Sequence, residues 1–221
     1  MEVAQLAVFL RPPTERSVKT RLRPLLGAEG AAMLYEAFLE DTMQLCARVR
    51  EAGRISIALW VDGDEDFRVS RWSEALEAEV QRQPAGDLGV RLDAAFARGL
   101  EDHERVVVIG SDIPTLPLVR IVEAFNGLAH DEIVVGPSND GGYYAIGAAH
   151  PVRPRFDRVA WSTPSALADT LRANEAYRVS LLSPWYDVDE ESDLAVLRAH
   201  LSMTPEAAPA TSKALARIDH K

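Results

Sequence analysis

Four short apolar runs constrain this chain more than any other feature: LAVFL (6–10), ISIALWV (55–61), VVVIG (106–110) and IVVG (133–136). Each is nearly continuous rather than alternating. That is the pattern of a strand covered on both faces, and so of a mostly parallel sheet buried between helices. Helical patterns fill the intervals. The clearest spans 29–52, where Leu34, Phe38, Leu45 and Val49 recur at three-and-four spacing and Gly53 marks the stop. Others are predicted near 67–79, 89–101, 117–128, 164–176 and 190–202, with Thr163 and Pro164 as a helix start. Strand and helix alternate along the chain, which makes the fold class α/β, a sheet sandwiched between two helical layers.

One segment breaks the alternation. IVVGPSNDGGYYAIGAA (133–149) holds two strand-like runs with no room for the dozen or so residues that a parallel crossover requires. This predicts an antiparallel interruption in the second half of the sheet, either a hairpin or a strand that leaves the sheet and returns. The 221 residues suit one substantial domain over 1–202. The closing stretch, 203–221, shows no convincing apolar face and is expected to be a loose tail.

A net charge of −10 argues against a general nucleic-acid surface or an anionic membrane as partner. The single cysteine, Cys46, sits inside an apolar helical pattern and reads as an inert buried thiol suited to a reducing compartment. LAVFL has no basic leader before it, so a strand is expected there rather than a signal peptide or membrane span, and the expected location is cytoplasmic. Oligomeric state is not legible.

In open parallel sheets ligands gather at the carboxyl ends of the strands, so the loops directly after each strand are the places for chemistry. After the first strand come Arg11, Arg16, Lys19, Arg21 and Arg23 against one acid, Glu15, a sharp reversal in an acidic chain. This reads as a phosphate clamp in preference to a solvated surface loop, since arginine offers a planar fork and lysine a mobile point charge. Lys19 is one of only three lysines, and the other two, Lys213 and Lys221, lie in the tail. No glycines precede it in a Walker pattern, which excludes a P-loop ATPase. Asp112, just after VVVIG, is placed either as a magnesium ligand or as a turn residue. Asp187 and Asp189 stand two apart before a helix, where extended chain would face them to one side; for Asp189, ligand and helix cap are equal alternatives. The two glycines of DGG, Gly141 and Gly142, suggest a backbone shaped to lie close to something else, with Asp140 beside them. The five histidines show no metal-ligand spacing, no G-x-S-x-G marks a hydrolase, and no residue reads as a nucleophile or general base.

Taken in order, VKTRL, GSDIP, DGGYYAIG, WSTP and YDVDEESDL resemble a bacterial GT-A-fold glycosyltransferase-like family, relatives of 2-phospholactate guanylyltransferase and molybdenum cofactor guanylyltransferase. The resemblance runs from about residue 5 to residue 200. It implies a nucleotide-diphospho-sugar transferase fold with Mg²⁺ or Mn²⁺ as cofactor. It further implies Arg11, Lys19 and Arg21 at donor phosphates, Asp112 and Asp189 at the metal, and Asp140, Gly141, Gly142, Trp161 and Asp187 around the substrate. Relatives usually carry a lysine where Arg11 stands and Pro-Gly where Glu15 and Arg16 stand. The glycine-rich first loop of ordinary sugar nucleotidyltransferases is also absent, which favours glycosyl transfer from a nucleotide sugar to a small-molecule acceptor. The alternatives are nucleotidyl transfer to a phosphorylated acceptor and a non-catalytic nucleotide-binding protein.

Overall fold

A computed structural model describes residues 4–13, 18–64 and 67–220. Seven strands form one sheet: β1 (Ala4–Leu10), β2 (Ile55–Val61), β3 (Glu79–Arg82), β4 (Arg105–Ile109), β5 (Ile133–Pro137), β6 (Tyr143–Ala149) and β7 (Val179–Leu181), in the order β3-β2-β1-β4-β6-β5-β7. Every pairing is parallel except those of β6, which runs antiparallel to both β4 and β5. The interruption expected from 133–149 is therefore a single reversed strand inserted between two that run the same way.

The helices are α1 (Arg23–Ala52), α2 (Phe67–Leu76), α3 (Leu88–Asp102), α4 (Leu118–Gly127), α5 (Ala166–Ala173), α6 (Glu191–Met203) and α7 (Pro209–Asp219). They form two layers. Leu6, Val8 and Leu10 of β1 face one core with Leu34 and Phe38 of α1, Ile121 of α4 and Leu197 of α6. Ala7 points the other way, into a second core with Leu92 and Phe96 of α3. Period-two alternation along a strand buried on both sides gives this division. Each fully buried Leu or Phe contributes roughly 1.5–3 kcal/mol. The architecture is the three-layer GT-A-like sandwich. Among the described residues no helix is long and apolar enough to cross a membrane.

Three details differ from the sequence reading. Strands β3 and β7 form the two edges of the sheet and are short and half-buried. An edge strand needs no continuous apolar run, and EVQR carries none. Helix α1 begins at Arg23 but is broken by Gly27 (φ 71, ψ 169), so its regular part starts near the expected residue 29. Residues 209–219 are not a loose tail. Thr211, Ala214, Leu215 and Ile218 recur at helical spacing and pack on the α1 core, and small residues kept that stripe inconspicuous. Asp41 of α1 caps the docked helix, accepting the N–H groups of Ala210 (2.9 Å) and Thr211 (2.8 Å).

Candidate active site

The carboxyl ends of β1, β2 and β4 open on a cleft of about 730 Å³. The chain leaving β1 enters a short 3-10 turn, Thr20–Leu22, preceded by Lys19 in a left-handed conformation (φ 44, ψ 44). That conformation sends the Lys19 side chain inward, where it is only 3% exposed. Its ammonium donates to Asp112 Oδ1 (2.5 Å), Asp189 Oδ1 (2.8 Å) and the Val188 carbonyl (2.6 Å), which uses all three of its protons. The rings of Tyr35 and Phe38 stand 5.9 and 5.5 Å away. Burial alone would lower the lysine's pKa; the two carboxylates outweigh it and hold the ammonium above its ordinary range.

Two backbone features bring the acids together. Asp112 lies in the turn after β4, and its carbonyl accepts the Val188 N–H at 3.0 Å, so the segment carrying Asp189 is tied to that turn. The start of α6 is capped by Glu190 and Asp193 in a reciprocal box. Asp189 therefore caps nothing with its side chain, and its carboxylate is given to Lys19. Behind the cleft, Tyr35 of α1 accepts the Arg11 N–H (3.1 Å) and hydrogen-bonds Ser111 (2.9 Å), joining the exits of β1 and β4.

The other sequence candidates scatter. Arg21 lies at the rim, paired with Glu190 at 3.1 Å, both well exposed. Arg11 sits at the opposite end of the cleft on Asp62, which also holds Arg91 at 2.9 Å. Burial works against ionisation of Asp62, but hydrogen bonds and charge from Arg11 and Arg91 hold its carboxyl below the usual range. Asp140 lines the cleft and accepts the Gly142 N–H at 2.8 Å. Gly141 (φ 87) does meet a close neighbour, but that neighbour is the chain itself: a Cβ there would lie 2.2 Å from the Pro164 carbonyl oxygen. Neither Gly141 nor Gly142 lines the cleft. Trp161 is outside it as well, packed against Tyr143 and Phe156 and above Gly89. Asp187 stands behind the wall, accepting from Ser138 Oγ at 2.7 Å; burial, then the charges of Asp140 and Asp189, raise its pKa. Glu15 and Arg16 lie outside the described residues.

Among the described residues no group of three or more His, Cys, Asp and Glu side chains is arranged to hold a metal. The Asp112–Asp189 pair supplies two hard oxygen donors, 44% and 42% exposed to the cleft and converging on one cation. That suits Mg²⁺ or Mn²⁺, which take one or two carboxylates and complete their shells with phosphate and water.

Residues 44–163 match the family described as "Uncharacterized protein conserved in bacteria (DUF2064)". The chain belongs to this family. The DUF2064 chain is 25% identical over 206 residues to phosphoenolpyruvate guanylyltransferase of Mycolicibacterium gilvum (strain PYR-GCK), a match that covers 90% of this chain and 91% of that protein. It is 28% identical over 127 residues to 2-phospho-L-lactate guanylyltransferase of Methanothermobacter thermautotrophicus, covering 56% of this chain and 53% of the other, so it spans about half the length of that relative. Among solved structures, one from Desulfovibrio desulfuricans G20, provisionally described as a nucleotide-diphospho-sugar transferase, superposes with a TM-score of 0.88 at 29% identity over 100% of this chain and 96% of that one. The fold alone is shared with a manganese complex of Rv0371c from Mycobacterium tuberculosis (18% identity, TM-score 0.50, 89% and 98% coverage). The DUF2064 chain is thus a GT-A-like protein of the nucleotidyltransferase and nucleotide-diphospho-sugar transferase superfamily, related to guanylyltransferases.

Proposed function

We propose that this protein is a metal-assisted nucleotidyltransferase. It transfers a nucleoside monophosphate from a triphosphate to a small phosphorylated acceptor. An acceptor phosphate oxygen attacks the α-phosphorus, the α–β bond breaks, and pyrophosphate leaves with the electron pair. The observation that carries this reading is the convergence of Lys19, Asp112 and Asp189 on one point of the cleft. Glycosyl transfer, which the missing glycine-rich loop favours, uses the same cations. The relatives tilt the balance toward nucleotidyl transfer, because both curated ones are guanylyltransferases.

Asp112 and Asp189 would hold the divalent ion, which when bound supplies positive charge against the departing pyrophosphate. Lys19 balances the two acids and keeps them converged without the ion. Arg21, at the rim, would meet donor phosphates. Asp140, Ser162 and Thr163 form the facing wall and would receive the acceptor. A phosphate nucleophile is already anionic at neutral pH. This chemistry therefore needs no general base, in keeping with a sequence that shows none.

The test incubates the protein with each nucleoside triphosphate, Mg²⁺ or Mn²⁺, and phosphoenolpyruvate or 2-phospholactate. The expected result is metal-dependent pyrophosphate and a nucleotidylated acceptor. Release of nucleoside diphosphate from a nucleotide sugar, with every triphosphate left intact, would reverse the choice in favour of glycosyl transfer.

A further inference from the structure

The Asp112–Asp189 end of the cleft suits phosphates; the opposite end has chemistry of another kind. Asp62, the first residue past β2, and Arg91, in the first turn of α3, stand side by side there as a 2.9 Å ion pair. Both are held in place. The Asp62 N–H donates to the Leu10 carbonyl at 2.8 Å. Arg91 donates to the Gly86 carbonyl (3.3 Å) and to Gln83 Oε1 (3.1 Å), and the Gln83 amide donates onward to the Trp60 carbonyl (2.8 Å). A carboxylate and a guanidinium are thus presented together from the sheet ends, 26% and 23% exposed. Beside them the cleft wall is apolar, formed by Phe9 and by Leu88, whose side chain is left 40% exposed. An apolar face next to a fixed acceptor and donor suits a flat heteroaromatic ring, with its face on Leu88 and its edge on the ion pair. The wall with Asp140, Ser162 and Thr163 also carries Pro164, but among the described residues it sets no guanidinium beside its carboxylate.

We propose that Asp62 and Arg91 read the base of the bound nucleotide, and read it as guanine. The assignment rests on the nucleotidyl-transfer reading above and gives that site its donor specificity. Guanine carries two adjacent donors, N1–H and the N2 amino group, next to the O6 acceptor. A carboxylate accepts both donors at once, and a guanidinium donates to O6. Adenine and cytosine each set a ring acceptor beside their amino group, and uracil has one N–H between two carbonyls. None of these offers a carboxylate two donors. Arg11, on the other side of Asp62, keeps that carboxylate ionised when a ligand approaches.

The experiment is calorimetric titration with GTP, ITP, XTP, ATP and CTP in the presence of Mg²⁺, on the wild type and on Asp62→Asn, with thermal melts to verify folding. Inosine lacks the N2 amino group, so ITP should bind the wild type about tenfold more weakly than GTP or worse, the loss of one hydrogen bond to a charged acceptor. Asp62→Asn puts a donor where an oxygen accepted. That clashes with N2 of guanine and matches the 2-carbonyl of xanthine, so the preference should turn from GTP to XTP. Equal affinity of the wild type for GTP and ITP, or an unchanged GTP-to-XTP ratio in a folded Asp62→Asn, overturns the assignment. The ITP comparison holds even if the variant does not fold. Pyrophosphate release without base preference removes this inference and leaves nucleotidyl transfer standing, whereas a protein that binds no triphosphate removes both.

Discussion

Replacing Lys19 by alanine tests the centre of the site. The substitution removes an ammonium with three hydrogen bonds, two of them to carboxylates, and leaves Asp112 and Asp189 facing each other. Removing one partner of a buried ion pair costs about 3–5 kcal/mol. The lysine is buried but the two acids are more than 40% exposed, so water takes up part of that loss. A destabilisation of about 2 kcal/mol is the reasoned figure. For a chain of this size that corresponds to a fall of roughly 4–8 °C in Tm. The vacated point between the carboxylates should then attract a divalent cation more strongly than in the wild type. Millimolar Mn²⁺ should raise the variant's Tm and move the wild type's less, since an ion that binds only the folded state stabilises it. Differential scanning fluorimetry with and without Mn²⁺ measures both effects. A variant as stable as the wild type, with an identical response to Mn²⁺, would refute the account of Lys19 as the charge that holds the acids together.

Four further outcomes are expected. Gly141→Ala should cost about 3 kcal/mol in urea unfolding, from positive φ and collision with the Pro164 backbone, whereas Gly142→Ala, whose Cβ would meet the movable Asp140 carboxylate first, should cost under about 1 kcal/mol. Asp41→Ala should release α7, destabilising by about 1–2 kcal/mol and exposing residues 209–219 to limited proteolysis. Asp62 has a lowered pKa, so its contribution to stability is fully present above the ordinary carboxylate value and is lost as pH falls through its folded pKa; stability curves of wild type and Asp62→Asn should therefore converge below about pH 4. Burial pushes the Cys46 thiol up to about 12, so a thiol reagent at pH 8 should label it only as fast as the protein unfolds.

What the sequence made legible follows from burial. The central strands are covered on both faces and so had to be continuous apolar runs. The edge strand β3 is covered less and carried no such signature, while β7 lies in the short run VSLL (179–182), half-covered and too brief to stand out as a strand. Helix α7 was hidden for a related reason: alanine and threonine fill its contact with α1, and a stripe of small residues hardly registers as hydrophobic. At the site, position after a strand singled out Lys19 and Asp112 as separate elements, one for phosphate and one for metal. That Lys19 closes on both acids depends on a left-handed turn and a backbone bond from Val188 to Asp112, and neither leaves a mark on local composition. The glycine at 141 was rightly read as a close-approach residue, but its neighbour proved to be Pro164 rather than a ligand. Asp62 follows β2 as directly as the first loop follows β1 and could have been found by the same rule. Arg91, on a helix, could not.

The Val188–Asp112 bond and the Lys19–Asp189 contact also bear on how the protein is made. Lys19 and Asp189 are 170 positions apart. A ribosome adding about 5–20 residues per second takes roughly 10–30 s to cover that distance. For the later part of that interval, once Asp112 has been added, the emerging polypeptide has the first half of the sheet and one acid but lacks the second, and the turn after β4 has no Val188 to hold it. The Lys19–Asp112–Asp189 cluster is therefore completed late in translation, when the segment before α6 docks. Prematurely terminated chains that stop short of it keep Lys19 and Asp112 but lack the second carboxylate and the bond that fixes the turn.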